Sequence, residues 1–360
     1  SKQIAAKPLN RYTSVLSLAT AVAYVPLYGA VLGGLLRAGS VPRHQLDFVW
    51  RRGFVSVPLF AASGFALAAL GDTLGDVIGM ICTPYVAGPV HSLLSNCTPV
   101  FIALLAFCVL RQRYSLLQVL SLGGVVVAVV LGVLPSFSHS SEMAKATQPF
   151  FALVLAASCI FNAVSFVVKE LVFKSYAGWL DREGTESSRS LHVFVVNFHA
   201  ALFQLPFTLL TVPFNVLLGQ TDGESIWQYM GEALTCVFGS SPASCGPKAV
   251  HAEDAAASVI VYVVFNVLWN ISILISVKHS GALATFISLK AIFPVSTVLF
   301  ACVDWPLLGR TPLSWLVWVS LGLMLPCIVL YQLASSWQRR RAEAHPSAAT
   351  CCWPLRGRSS

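Results

Sequence analysis

The sequence predicts an all-α, multi-pass membrane protein built as two pseudo-symmetric halves. Three observations lead there. Only 11% of the 360 residues are charged and 56% are hydrophobic, whereas a soluble domain carries about 25% charged residues. Nine long runs lack charged side chains: 12–36, 53–71, 77–110, 114–141, 146–168, 190–221, 255–277, 279–303 and 311–338, with Lys290 the single charge inside the eighth. Each approaches or exceeds the ~20 residues that cross ~30 Å of hydrocarbon. Two stretches also look alike. His91–Tyr331 contains them as "HSLLSNCTPVFIALLAFCVL…LGGVVVAVV" and "ATFISLKAIFPVSTVLFACV…LGLMLPCIVLY", each with small polar residues, a mid-span proline, a short Arg-bearing turn and a Gly-containing second span. Internal repeats of this kind typify secondary transporters.

In chain order, 12–36 leads into the basic connection 37–53, and 53–71 into a turn bearing Asp72 and Asp76. That turn is expected on the non-cytosolic side. Span 77–110 contains Pro99 and ends at the Arg111–Arg113 turn. Spans 114–141 and 146–168 follow, and then a second basic connection, 169–189. Span 190–221 opens the long loop 214–254, which carries Asp222, Glu224, Glu232, Glu253 and Asp254. Its segment "ESIWQYMGEALTCVF" places Ile226, Met230, Ala233 and Val237 on one face with Trp227 beside them, a pattern for lying along a membrane surface. Spans 255–277, 279–303 and 311–338 complete the set.

The net charge of +8 does not indicate nucleic acid, because the charges segregate by loop. One side, taken as the cytosol, receives sixteen Lys/Arg: Arg37, Arg43, Arg51, Arg52, Arg111, Arg113, Lys169, Lys174, Arg182, Arg189, Lys278, Arg339, Arg340, Arg341, Arg356 and Arg358. The other receives six: Lys2, Lys7, Arg11, Lys145, Lys248 and Arg310. Positive-inside bias sets topology, so the C-terminus is expected in the cytosol. Nine spans then put the N-terminus opposite, which leads us to expect that a first helix is missing from this sequence. The tail from Gln338 is basic and then Ala/Pro/Ser-rich.

Lys290 is the leading site candidate. Lys278 lies twelve residues before it and Asp304 fourteen after, roughly 18–21 Å away along a helix. A charge at that depth usually faces a cavity or a partner. Pro294 lacks an N–H and is expected to leave the Lys290 carbonyl without its helical partner, and Pro99 to do the same for Ser95. His91, Ser95 and Asn96 stand beside that first break, and Ser288 beside the second. Ser158, Asn162, Ser165 and Lys169 form a polar stripe, as do Asn266 and Asn270, spaced four apart. Stripes of this kind either line a cavity or bond helices together. Histidine is the side chain whose ordinary titration falls near the pH step of an acidic compartment, so His91 and His199 are candidates, with Lys290, for proton coupling. His192 and His199, seven apart, are expected on one helical face.

Cys236 and Cys245, nine apart in the long loop, either close a short disulfide or remain thiols. Eight other cysteines lie in spans or in the tail, and no ligand pair stands at zinc spacing. No phosphate loop or acid–base set appears, so neither an enzyme nor a cofactor is expected; "GGVVVAVVLG" reads as a packing face.

Four segments carry a family resemblance: "LRQRYSLLQVLSLGGVVVAVV" (110–130), "KELVFKSY" (169–176), "ESIWQYMGEALTCVFGSSPASCG" (224–246) and "FNVLWNISILI" (265–275). Over residues 10–336 the chain resembles the chloroquine-resistance transporter family of the drug/metabolite transporter superfamily. The resemblance implies ten helices as two inverted five-helix halves, of which the first helix would be absent here. Residues 1–149 would form the first half and 150–336 the second, with 214–254 as a lumenal loop and 337–360 as a cytosolic tail. It also implies a disulfide in that loop, Cys236–Cys245. The implied activity is proton-driven export of amino acids, small peptides or cationic drugs from an acidic vacuole, by a monomer whose other partners are substrate, protons and lipid. A plant branch resembles thiol transporters of the plastid envelope. Competing readings are a nucleotide-sugar or triose-phosphate antiporter and a structural subunit that keeps the fold.

Overall fold

The computed structural model describes residues 9, 12, 14–50, 61–82, 85–86, 88–134, 148–183, 190–217, 225–238, 254–290, 303 and 315–344. These form α1 (Ser14–Arg37), α2 (His44–Trp50), α3 (Ala61–Cys82), α4 (Gly88–Leu94), α5 (Thr98–Val109), α6 (Leu116–Val133), α7 (Pro149–Glu183), α8 (Val193–Leu217), α9 (Ile226–Phe238), α10 (Ala255–Ser280), α11 (Ala282–Lys290) and α12 (Trp315–Ala344). No strand occurs among the described residues. A 3-10 turn, Ser95–Cys97, joins α4 to α5. Seven helices, α1, α3, α6, α7, α8, α10 and α12, are long and apolar enough to cross a membrane. The chain is an all-α, multi-pass membrane protein.

Local chemistry sets the helix ends. At the start of α6 the Ser115 hydroxyl accepts the Gln118 N–H at 3.3 Å, and the Gln118 side chain accepts the Ser115 N–H at 2.8 Å. This reciprocal box satisfies two donors that the helix leaves open. Arg37 sits in the last turn of α1, where a cation complements the carbonyl end of the dipole. Gly281, at φ +82°, turns the chain sharply from α10 into α11. L side chains resist that conformation.

Two close crossings hold the bundle. On α3, Gly71, Gly75 and Gly79 recur every four residues. A Cβ at Gly71 would lie 2.6 Å from the Phe161 carbonyl oxygen of α7, and one at Gly75 would lie 2.5 Å from Asn162 Oδ1. The glycines therefore let the α3 and α7 backbones approach closely, as small residues do at membrane helix contacts. The α6–α12 crossing works the same way: a Cβ at Gly132 would stand 2.8 Å from Ser320 Oγ, and Gly124 abuts Cys327. Ser320 Oγ donates to the Ala128 carbonyl at 2.6 Å across this contact. Around these pairs, α8 packs on α1 and α3, α5 on α7, α10 on α1, and α11 on α5 and α12. Outward faces are apolar: Val264, Phe265 and Leu268 of α10 and Leu116, Leu120 and Val127 of α6 are exposed, as lipid-facing positions are.

Three boundaries differ from expectation. The second span is Ala61–Cys82, so Asp72 and Asp76 stand inside a spanning helix and not on a turn. Residues 51–60, its expected beginning, lie outside the described residues. The connection expected over 169–189 is helical to Glu183, so Lys169 and Lys174 belong to α7 and not to a loop. The physical reason is shared: charges were read as ending spans, yet Lys169 and Asp72 neutralise each other inside the bundle, so neither helix has to stop at its charge. The third expected span is divided by the 3-10 turn. The described part of the eighth ends at Lys290.

The expected amphipathic segment is helix α9. It buries Tyr229, Ala233, Cys236 and Val237 against Leu9, Tyr12, Val15, Met80, Val259 and Tyr262. Tyr12 OH donates to Glu232 Oε2 at 2.6 Å. Trp227 and Phe238 point away, 87% and 76% exposed, a position suited to the membrane–water boundary.

Candidate functional site

Among the described residues, two polar groupings join spanning helices near the sequence-predicted site residues. The first joins α1 to α10. Tyr24 OH donates to Asn266 Oδ1, and Asn270 Nδ2 donates to Tyr24 OH at 2.7 Å and to Asn266 Oδ1 at 3.4 Å. Tyr24 is buried and stacks on Tyr28, ring centroids 5.1 Å apart. The four-residue spacing brings Asn266 and Asn270 onto one face, which meets α1. Sequence reading missed Tyr24, an amphipathic ring inside an apolar run.

The second grouping is ionic. Lys169 Nζ of α7 pairs with Asp72 Oδ2 of α3 at 2.5 Å, with side chains only 5% and 18% exposed. The ammonium also stands 4.8 Å from the Phe166 ring centroid, a cation–π contact. The next residue, Glu170, faces another way. It pairs with Lys174 Nζ at 2.5 Å and accepts Gln112 Nε2 at 2.8 Å. Asn162 and Ser165 lie in the α3–α7 contact, against Gly75 and Gly71, while Ser158 Oγ bonds back to Leu155 O at 2.7 Å. The glycine spacing on α3 was the signal that would have found this contact.

The region around Pro99 corrects one expectation. The Ser95 carbonyl was expected to be left open; it accepts both the N–H and the Oγ1 of Thr98, the latter at 2.9 Å. A 3-10 turn brings residue i+3 to that carbonyl, so the proline at 99 costs no bond there. Asn96 is fully buried, and His91 is half-buried one turn earlier on α4. Lys290 ends α11; its side chain and Pro294 lie outside the described residues. Ser288 Oγ donates to Ala284 O at 2.9 Å and accepts Gln332 Nε2 of α12 at 2.7 Å.

The two histidines do not share a helical face as expected, because His192 precedes α8. His199 is buried, its Nδ1 2.7 Å from Val195 O, and packed among Trp50, Phe65 and Phe198 at 5.3–5.8 Å. His192 Nδ1 accepts the Phe194 N–H at 3.3 Å, which requires a neutral ring. Burial, with Lys278 adding to it, holds the His192 imidazole below its ordinary 6.5. A depressed histidine pKa gives stability that is intact above 6.5 and lost as pH falls through the folded value. We expect His192→Gln to unfold at a temperature less sensitive to acidification below neutral pH than the parent; parallel acid limbs in thermal melts would contradict this.

Among the described residues no three His, Cys, Asp or Glu side chains gather to hold a metal ion. Cys82, Cys97, Cys108, Cys159 and Cys327 there form no disulfide. Cys236 is not among them, and Cys245 lies outside the described residues.

Residues 2–331 match the model of the CRT-like, chloroquine-resistance transporter-like family. The chain belongs to that family. It is 28% identical to Protein CLT2, chloroplastic, of Arabidopsis thaliana over 83% of this chain and 64% of the relative. It is 26% identical to Crt homolog 1 of Dictyostelium discoideum over 94% of this chain and 72% of that protein. To the Chloroquine resistance transporter of Toxoplasma gondii it is 26% identical over 81% of this chain and 31% of that protein. The chain thus spans 64% of the first of these relatives and less than a third of the last.

Proposed function

We propose that this chain is a secondary active transporter. It exports amino acids, small peptides or cationic drug-like solutes from an acidic vacuole, coupled to protons. The observation that carries this reading is the Asp72–Lys169 pair, two charges kept inside spanning helices. Charge at that depth is costly and marks solute or ion pathways.

Residues 1–149 and 150–336 act as two inverted halves. The packing of α1 with α8, α5 with α11 and α6 with α12 supports this, as does the match of α3–α8 with α1–α10. Substrate binds between the halves, with Lys290, Ser288, Ser95, Asn96, His91, Asn162, Ser165, Asn266 and Asn270 as candidate contacts. His91, His199 and Lys290 are the proton-coupling candidates. Loop 214–254 is lumenal and closed by a Cys236–Cys245 disulfide; tail 337–360 is cytosolic; the working unit is a monomer.

A second reading is a plastid-envelope transporter of glutathione or other thiols, and similarity to the chloroplastic relative CLT2 supports its plastid part. One assay separates the two. Purified protein in liposomes is given a pH gradient and labelled amino acid, dipeptide, cationic amine or glutathione. A one-to-one proton-coupled carrier accumulates its substrate about tenfold per pH unit. Uptake of amino acid, peptide or amine favours the vacuolar reading, and uptake of glutathione alone favours the plastid one. If none is driven by the gradient while a working relative in the same preparation is active, the transport reading falls.

A further inference from the structure

One carboxylate holds the tip of the α10–α11 hairpin. Glu170 is 4% exposed. Its Oε2 accepts the backbone N–H of Ala282, the first residue of α11, at 2.7 Å. Its Oε1 accepts Gln112 Nε2 at 2.8 Å and pairs with Lys174 at 2.5 Å. A Cβ at Gly281 would lie 3.2 Å from Oε1, so the hairpin turn rests directly on the acid. Glu170 therefore ties together α7, the turn between α5 and α6, and α11. Charged hydrogen bonds are about twice as strong as neutral ones, and the N-terminus of α11 adds a favourable dipole.

We infer that Glu170 is a positioning residue of the transport cycle, a latch that keeps the α10–α11 hairpin against the α5–α6 turn in this conformation and releases it in the opposite one. The inference rests on the transporter reading. Alternating access needs contacts at one end of the molecule that form in one state and break in the other. Gln112 and the hairpin tip belong to opposite sequence halves, and Glu170 bonds to both. Each arm can be exchanged for water when that end opens. Release of the latch moves α11, and with it Ser288 and Lys290.

The test varies Gln112, which is half-buried and outside the spanning helices. Gln112→Glu sets a second carboxylate against Glu170, Gln112→Ala removes one arm, and Gln112→Lys adds an ion pair. The reporter is Thr285→Cys, at a position that is buried one turn inside α11. It is labelled with a membrane-impermeant thiol reagent and read by peptide mass spectrometry, so native cysteines do not interfere. We expect the labelling rate to rise about tenfold in Gln112→Glu, less in Gln112→Ala, and to fall in Gln112→Lys, a population shift in both directions. A purely structural role would alter melting temperature but not order the labelling rates this way. Equal rates in Gln112→Ala, Gln112→Lys and the parent would overturn the latch, whether or not Gln112→Glu folds. Labelling needs no substrate, so a protein without flux can still show or refute the latch.

Discussion

Gly71→Ala is expected to be the most damaging of the small substitutions in this chain. The added carbon would sit 2.6 Å from the Phe161 carbonyl oxygen and 3.2 Å from the Ser165 nitrogen. Both are backbone atoms of α7, so no side-chain rotation relieves the clash. The two helices must separate, loosening the contact that carries Asn162, Ser165 and the Asp72–Lys169 pair. Overpacking costs ~1–3 kcal/mol, and this site belongs at the upper end because the clash is with a rigid helix. Gly75→Ala meets the movable Asn162 side chain, at 2.5 Å, and is expected to cost less. Gly79→Ala, on the same helix, meets nothing within 4 Å and should gain part of the ~1 kcal/mol by which alanine exceeds glycine in a helix. Unfolding in detergent should therefore rank Gly79→Ala above the parent, then Gly75→Ala, then Gly71→Ala. If Gly71→Ala melts with Gly79→Ala, the close crossing does not exist.

How much of this was legible in the sequence depends on what kind of signal each part leaves. Long uncharged runs leave a clear one, and α1, α6, α8, α10 and α12 fall where those runs predict. Amphipathic α9 was readable from the apolar residues that recur on one face, although Tyr229 and Cys236 on its buried face pack with Tyr12, two hundred residues away. Asp72 and Lys169 were misread because a charge in isolation signals the end of a span, and only a partner 97 residues distant reverses that inference. Pairing across helices leaves no trace in a window of one helix. Pro99 was misread in a smaller way: the missing N–H was counted, but the Thr98 hydroxyl beside it, which bonds the same carbonyl, was not. The alternation of Gly71, Gly75 and Gly79 was present in plain view and points at the helix contact that contains the ion pair.

Removing either partner of that pair is expected to harm the protein more than removing both. In Asp72→Leu the Lys169 ammonium, whose side chain is 5% exposed, keeps among the described residues its contact with the Phe166 ring. Such a contact returns ~0.5–2 kcal/mol, less than the ~3–5 kcal/mol lost when a buried ion pair is broken on one side. In Lys169→Met the Asp72 carboxylate is left inside α3 with no other ion-pair partner among the described residues. The double change, Asp72→Leu with Lys169→Met, leaves no charge behind and restores an apolar contact of similar volume. Replacing a buried pair by apolar groups is often neutral or stabilising, so the double variant should melt well above both single variants and near the parent. The coupling between the two sites, read from a double-mutant cycle, should exceed ~2 kcal/mol. Additive effects would mean that the two side chains do not meet. Flux separates the remaining roles. If the charges serve only as a helix contact, the double variant transports as the parent does; if they lie on the solute or ion pathway, it folds and is inactive. The second outcome is the one expected, because the close backbone approach at Gly71 and Gly75 would hold α3 to α7 without the pair, and a membrane protein has no structural need to bury a lysine there.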